Sequence, residues 1–340
     1  MNKMNKSVLS LLLTLMMAFM LAACGTETET SEGTGQATQQ EAGQAADQGS
    51  ETNNDSEEAS SKTEYPLTLT DATGESFTFE QAPAKIVSVS PAETESLFAI
   101  GLEEQIVGVS DFDDYPEAAA SKPKMGSLYE PNAEAIIAAE PDIVFTGISM
   151  DEAAVQKLRD LGIVIFKTDP KTIDDVMKNI EVYGQITDRQ AEAAEVVDQM
   201  KADIQEVSDK VAALSDEEKK QVYVEFSPGW TVGKGEFMDE VITLAGGVNV
   251  AGDTEGWNEI SEEKIIQANP DVILYASDVI DDNNQTLDQI ITARDGWNEI
   301  TAIKEDAVIS IDANLLSRPG PRVTEGLKVV AEAIYPDLFQ

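Results

Sequence analysis

The sequence predicts an α/β protein built as two Rossmann-like α/β lobes joined by one long helix. Three observations carry that reading. From Lys85 onward, short β-branched runs alternate with helical stretches, the pattern of βαβ units around a parallel or mixed sheet. The pattern then starts again after residue 220, with local echoes of its first appearance. Between the two halves lies a single long amphipathic stretch.

The elements follow in chain order. Residues 1–23 carry Lys3 and Lys6 and then an apolar run from Val8 to Ala23 broken only by Ser10 and Thr14, the layout of a secretory signal. A short transmembrane anchor is the alternative, but the run ends in Leu21-Ala22-Ala23-Cys24, which resembles the bacterial lipobox, and Cys24 is the single cysteine of the chain. Acylation of Cys24 would hold the protein on a membrane by burying methylenes at about 0.8 kcal/mol each. Residues 24–64 after that cysteine contain no large apolar side chain, and 10 acids stand against Lys62. Such a tract cannot bury enough surface to offset the entropy of ordering, so it is expected to be a disordered, self-repelling spacer.

The first lobe is expected over residues 65–185. Its strands are predicted at Ile86–Ser90, Ile106–Ser110, Ile143–Gly147 and Ile163–Thr168, and its helices at Glu93–Gly101, Asn132–Glu140 and Asp151–Gly162. An interlobe segment, 186–216, holds the helix Asp188–Leu214, opened by Thr187-x-x-Gln190 as a capping box. Val197, Met200, Ile204, Val207, Val211 and Leu214 recur every three or four residues, so one face is apolar. The repeat is too short for a coiled-coil seam, and a helix of that length, roughly 40 Å, suits a strut lying across both lobes. The second lobe, 217–340, repeats the pattern with strands at Val222–Ser227, Val272–Ser277 and Ala307–Ile311, and helices at Gly235–Ala245, Ser261–Ala268, Asn284–Arg294 and Val323–Ile334.

The halves match in detail. Ile-Ile-Ala-Ala-Glu-Pro-Asp-Ile-Val at 136–144 parallels Ile-Ile-Gln-Ala-Asn-Pro-Asp-Val-Ile at 265–273, and Val89-Ser90-Pro91 parallels Phe226-Ser227-Pro228. Each Pro-Asp ends a helix and opens a strand, because Pro cannot continue the helix and biases its predecessor toward extended backbone.

Composition excludes several chemistries. With 64 acidic and 23 basic residues the formal net charge is −41, of which −34 falls on residues 65–340, so a nucleic-acid partner is not expected. No histidine is present, which removes Ser-His-Asp triads and imidazole metal sites, and one cysteine cannot close a disulfide within the chain. Gly108-Val-Ser-Asp-Phe and Gly147-Ile-Ser-Met-Asp lack the closing Gly of a nucleophile elbow. Gly229-Trp-Thr-Val-Gly-Lys-Gly has neither the spacing nor the Ser/Thr of a phosphate loop, and Asp281-Asp-Asn-Asn-Gln-Thr-Leu lacks the glycine and closing Glu of a calcium loop. The chain is therefore not expected to be an enzyme, a lipid-anchored extracytoplasmic hydrolase being the rival reading, and no cofactor or metal is expected.

Four pieces together resemble a known family. Lys85-Ile-Val-Ser-Val-Ser-Pro-Ala-Glu-Thr-Glu-Ser-Leu-Phe-Ala-Ile-Gly101, Val107-Gly-Val-Ser-Asp-Phe-Asp-Asp-Tyr-Pro116, Glu140-Pro-Asp142 and Arg318-Pro-Gly-Pro-Arg322 look like the Fe/B12 family of periplasmic binding proteins. Ser-Pro-x-x-Thr-Glu and Ser-x-x-x-Tyr-Pro look closest to its cobalamin-type members. The resemblance covers about residues 84–340. It implies a cleft between two lobes, one bulky chelate (corrinoid, ferric siderophore or haem) per monomer, small lobe motion, and delivery to an ABC permease and its ATPase from the outer face of the cell membrane. It also implies a docking acid on each lobe: Glu152 by local match, and one of Asp278, Asp281 and Asp282 on the second lobe.

Ligands of open α/β sheets bind at the carboxyl ends of strands. That rule nominates Pro91, Ala92, Glu93, Thr94, Phe112, Tyr115, Tyr129, Thr146 and Gly147 in the first lobe. In the second lobe it nominates Ser227, Trp230, Trp257, Tyr275, Asn314 and Arg318. Trp257 and Trp297 occupy near-duplicate strings, and Trp257 is assigned to the cleft and Trp297 to the core, since the latter follows a helix. Arg318 can touch an anionic ligand or pair with an acid of this acidic domain, and pairing is the preferred reading. Lacking His and a spare Cys, the protein has no usual soft metal ligands to offer, so a neutral pre-chelated ligand fits better than a bare metal or a highly anionic complex.

Overall fold

The computed structural model describes residues 62–259 and 261–339. The signal segment, Cys24 and most of the spacer lie outside the described residues.

Two antiparallel strands, β1 (Leu67–Thr70) and β2 (Ser76–Phe79), open the fold. Then come β3 (Ile86–Ser88), α1 (Pro91–Ala99), β4 (Ile106–Val109), α2 (Glu117–Ala120), α3 (Ala133–Ala139), β5 (Ile143–Thr146), α4 (Glu152–Asp160) and β6 (Ile165–Lys167). Two long helices follow, α5 (Ile173–Thr187) and α6 (Gln190–Val211). The second half holds β7 (Gln221–Glu225), β8 (Trp230–Val232), α7 (Phe237–Leu244), β9 (Val248–Asn249), β10 (Trp257–Glu259), α8 (Glu262–Ala268), β11 (Val272–Ala276) and α9 (Leu287–Ala293). It closes with α10 (Thr301–Lys304), β12 (Val308–Ile311), α11 (Ala313–Ser317) and α12 (Val323–Ile334).

Both main sheets are parallel, with strand orders β4-β3-β5-β6 and β9-β7-β11-β12. The topology is the same in each: the second strand flanks the first on one side, the third and fourth on the other. The duplicated Pro-Asp strings occupy equivalent places. Glu140 (φ 49) and Asn269 (φ 47) both end their helices in the left-handed region. Asp142 then accepts the backbone N–H groups of Ala84 and Lys85 at 2.8 Å, as Asp271 accepts that of Gln221 at 2.7 Å. A carboxylate at that point ties the start of one strand to the start of its neighbour.

The strut is shorter than expected. α6 has 22 residues, or about 33 Å at 1.5 Å each, and Thr187 belongs to the last turn of α5, where its hydroxyl donates to the Tyr183 carbonyl. The expected Thr187-x-x-Gln190 capping box is therefore absent: Asp188 (φ 56) terminates α5, and Arg189 opens α6 without a side-chain cap. Capping boxes form instead at Thr172/Asp175 and at Thr286/Gln289, the latter starting α9 at Leu287 rather than Asn284. Val197, Met200 and Val207 of α6 are buried where it packs on α5 and α12. Asp203 adds polar ties, accepting from Thr324 at 2.9 Å and from Lys328 at 2.8 Å. α5 and the β1–β2 hairpin were not anticipated. The chain enters at the α5–α6 corner, where Thr63, read as spacer, donates its N–H to Asp188 and its hydroxyl to the Gln185 carbonyl, both at 2.8 Å.

Candidate functional site

A cleft of about 280 Å³ opens between the lobes at the carboxyl ends of the parallel strands. The loops after β3, β4 and β5 supply one wall, and α11 with the turn after it supplies the other. β3 lies between β4 and β5, which makes this the point where the strand order reverses. Pro91 stands at the first position of α1, where its missing N–H costs nothing, so the helix can start at the cleft edge.

Seven nominated residues line the cleft: Pro91, Ala92, Glu93, Phe112, Tyr129, Asn314 and Arg318. Tyr129 is 60% exposed and Phe112 nearly as open, so two aromatic rings face solvent at the mouth. Ser90, Ser149 and Pro319 also line it and were not foreseen. Two nominations fail on burial. Thr94 is fully enclosed and gives its hydroxyl to Ser88 at 2.7 Å, and Thr146 is enclosed as the last residue of β5. Gly147 sits behind the wall with its carbonyl accepting from Lys167 Nζ at 2.6 Å. Tyr115 is exposed but lies beneath the Arg322 guanidinium, 3.9 Å from its ring centre.

Ser227, Trp230, Trp257 and Tyr275 stand apart from the cleft lining. Trp230 and Trp257 are each 41% exposed, on the paired strands β8 and β10, and Trp257 packs edge-on against Phe226 at 4.7 Å. Their support is a buried carboxylate. Glu225 receives both terminal nitrogens of Arg294 at 2.6 Å, the Tyr223 hydroxyl at 2.9 Å and the Gly229 N–H at 2.9 Å. Gly229 takes φ +81 in the turn before Trp230, a conformation that suits glycine. Trp297 is fully buried, packed on Tyr223 and under the Arg294 guanidinium, in the core role assigned to it.

The arginines close the lobes on each other. Arg322 grips Glu95 of α1 with two bonds of 2.8 and 2.7 Å, and Arg318 reaches Glu95 at 3.0 Å and Asp114 at 2.7 Å. Burial would raise the Asp114 pKa, but Arg318 outweighs it and holds the carboxyl below its usual range. Arg318 is thus neutralised in place, and among the described residues lining the cleft it is the sole cation. The sequence showed arginines in an acidic domain; that Glu95 is their partner depends on a contact across more than 220 residues, which no local signal reports.

The loop after β4 is set by Asp113, which accepts the Ser110 N–H at 2.9 Å and the Ser110 hydroxyl, while Lys124 donates to the Ser110 and Asp113 carbonyls. Burial raises the Asp113 pKa. Glu93 is also pushed up by burial, against the Ser90 and Thr168 hydroxyls that favour its charge. Among the described residues no cluster of three His, Cys, Asp or Glu could hold a metal, and no helix is long and apolar enough to cross a membrane.

Of the acids nominated for docking, Glu152 is exposed in the first turn of α4, and Asp282 is exposed after β11. Asp278 is exposed too, with φ +59. Asp281 is occupied locally: its carboxylate accepts the Asn283 and Gln285 N–H groups at 2.8 Å.

Comparison with known proteins agrees with this architecture. A family model described as periplasmic binding protein matches residues 86–315. The chain is 35% identical over 291 residues to the uncharacterized ABC transporter substrate-binding lipoprotein YvrC of Bacillus subtilis, covering 83% of this chain and 90% of that protein. A cobalamin-binding protein of Halobacterium salinarum is 27% identical over 286 residues, covering 82% and 76%. Among solved structures, a possible iron-binding (periplasmic solute-binding) protein from Staphylococcus epidermidis superposes with a TM-score of 0.64 at 30% identity, over 75% of this chain and all of that one.

Proposed function

The chain belongs to the periplasmic binding protein family and is a substrate-binding protein of an ABC transporter, working with a permease and an ATPase; from that premise we propose that its ligand is a neutral, bulky chelate, a corrinoid or a ferric siderophore. It is a binding protein and not an enzyme. The observation that supports the ligand class is the cleft itself. Arg318, the one cation among the described lining residues, is spent on Glu95 and Asp114, while Phe112 and Tyr129 present open aromatic rings. An anionic ligand would have to compete with two carboxylates for that guanidinium, whereas a neutral chelate needs no cation and can stack on the aromatic rings. The cobalamin-binding relative from Halobacterium favours a corrinoid, and the Staphylococcus structure favours an iron complex.

At about 280 Å³ the cleft lies at the small end for ligand pockets, so a bulky ligand would extend past this lining, and the exposed Trp230 and Trp257 are its proposed further contacts. The protein acts as a monomer tethered through acylated Cys24 to the outer face of the cell membrane. Glu152 and Asp282 dock to basic residues of the permease. Calorimetric titration of residues 62–340 with cyanocobalamin, a ferrichrome-type complex and haem tests the ligand. One chelate bound per monomer at micromolar or tighter affinity is expected, and failure of the corrinoid and the siderophore together would overturn the proposal.

A further inference from the structure

Arg318 and Arg322 both join the lobes, but their partners differ in burial. The Glu95 side chain, which takes two bonds from Arg322, is 2% exposed. Gly320, between the two arginines, comes so close to α1 that a Cβ there would stand 3.1 Å from the Ala92 carbonyl oxygen. The Asp114 side chain, which takes the 2.7 Å bond from Arg318, is 61% exposed. An enclosed pair is shielded from water and salt, whereas an exposed pair is worth little and is easily exchanged for solvent.

The weak pair is also the one that spans the cleft. Arg318 follows α11 of the second lobe, lines the cleft, and reaches the loop after β4 of the first lobe at Asp114 and at the Phe112 carbonyl, 3.4 Å away. That loop cannot simply follow the guanidinium, because Asp113 is bound to the Ser110 N–H and Lys124 holds the Ser110 and Asp113 carbonyls. Elsewhere the lobes are tied by Glu240 of α7, which accepts the Ile173 N–H of α5 at 2.6 Å, and by Lys171 with Glu236 at 3.5 Å. The two lobes thus meet at enclosed or backbone-held contacts and at one exposed bridge across a cleft of about 280 Å³.

We propose that the Arg318–Asp114 pair is a releasable strap across the cleft, which a ligand must break to seat fully, while Arg322–Glu95 stays closed as the pivot of that opening. The inference rests on the reading of a bulky chelate as ligand and adds how the cleft admits one. A strap that favours the closed form reduces apparent affinity by the fraction of molecules in which it is open, so its removal speeds entry without supplying any new contact. Salt screens the exposed pair, and a neutral ligand is not steered by charge. Association with the native protein should therefore quicken as ionic strength rises, the opposite of electrostatic steering.

The test compares residues 62–340, which contain no cysteine, with the same chain carrying Asp114→Ala. Stopped-flow association of cyanocobalamin and of a ferrichrome-type complex should be roughly two- to fivefold faster in the variant. Added potassium chloride should speed association in the native chain and leave the variant unchanged; this salt series needs no substitution on its native arm. Paired nitroxide labels on Ala120→Cys and Ala293→Cys, exposed positions on the first and second lobe, report the interlobe distance without ligand. Asp114→Ala should shift or broaden that distance distribution. Equal association rates with the same salt response in both chains, or an unchanged distance distribution, would overturn this inference and leave the ligand reading in place. Binding of neither probe would overturn the ligand reading, and the label distances would then decide the strap by themselves.

Discussion

Replacing Glu95 with Ala should destabilise the protein by about 3 kcal/mol. The carboxylate is nearly fully enclosed and accepts three charge-assisted bonds, two from Arg322 at 2.8 and 2.7 Å and one from Arg318 at 3.0 Å. Breaking a buried pair from one side typically costs ~3–5 kcal/mol, because the partner charge stays behind. Two features place this case at the low end. Arg318 retains Asp114 at 2.7 Å, and Arg322 retains the Tyr115 ring at 3.9 Å. The guanidinium side chains are also 12% and 19% exposed, so water can reach them once the carboxylate is gone. Urea denaturation followed by circular dichroism measures the loss, and the Arg322→Ala and Glu95→Ala/Arg322→Ala proteins complete a cycle. The double variant should be more stable than the sum of the single losses by about 1–3 kcal/mol. A loss below about 1 kcal/mol for Glu95→Ala, or strict additivity in the cycle, would refute the claim that this cluster clamps the lobes. Because Arg318 also reaches the Phe112 carbonyl at 3.4 Å, the same substitution should loosen the cleft loop and weaken ligand binding.

Three further outcomes are expected. Glu152→Lys with Asp282→Lys should reduce uptake in cells and weaken permease association while leaving ligand affinity intact, since a rim charge governs encounter and register more than the pocket; unchanged uptake removes the docking proposal. Asp71 should contribute to acid sensitivity. Burial would raise its pKa, but the Thr73 hydroxyl, the Lys167 and Thr73 N–H groups and Arg159 together depress it, so its stabilisation is present above the unfolded carboxyl pKa of about 4 and is lost as the pH falls through the lower folded value. Asp71→Asn should flatten the stability curve below about pH 4, and a curve parallel to the native one would contradict this. Acrylamide should quench Trp230 and Trp257 and spare the buried Trp297, with ligand protecting the first two; quenching unaffected by a bound chelate would place both tryptophans outside the site.

What the sequence revealed, and what it did not, divides by the range of the interaction. Every parallel strand except the two-residue β9 was visible as a β-branched run, and the paired Pro-Asp strings announced the duplicated topology because stopping a helix and starting a strand is a local act. The missed elements were local too. Ile173, Val176, Met177, Ile180 and Tyr183 bury one face of α5, and Leu67–Thr70 with Ser76–Phe79 alternates around a turn at Gly74, so both signals were present and unread. The false capping box at Thr187 shows the limit of pattern alone: two helices meet there, and the left-handed Asp188 between them decides which one owns the threonine.

The site was legible in its outline and hidden in its chemistry. Strand-end geometry brought Pro91, Glu93, Phe112, Tyr129, Asn314 and Arg318 to one cleft, because a parallel sheet sends all its following loops to the same edge. It could not say that Thr94 turns inward to Ser88 while Glu93, one residue earlier, lines the wall. In a helix successive side chains diverge by about 100°, so neighbours in sequence are assigned to cleft or core only by how the helix is rolled. That roll is set by contacts far along the chain, with Glu95 drawn to Arg318 and Arg322 and Glu93 drawn to Thr168 and Tyr183. The same two sets of contacts give the cleft its character. One takes the sole cation among the described lining residues out of reach of an anionic ligand, and the other holds the Glu93 carboxyl against Thr168 and Tyr183 beneath the wall.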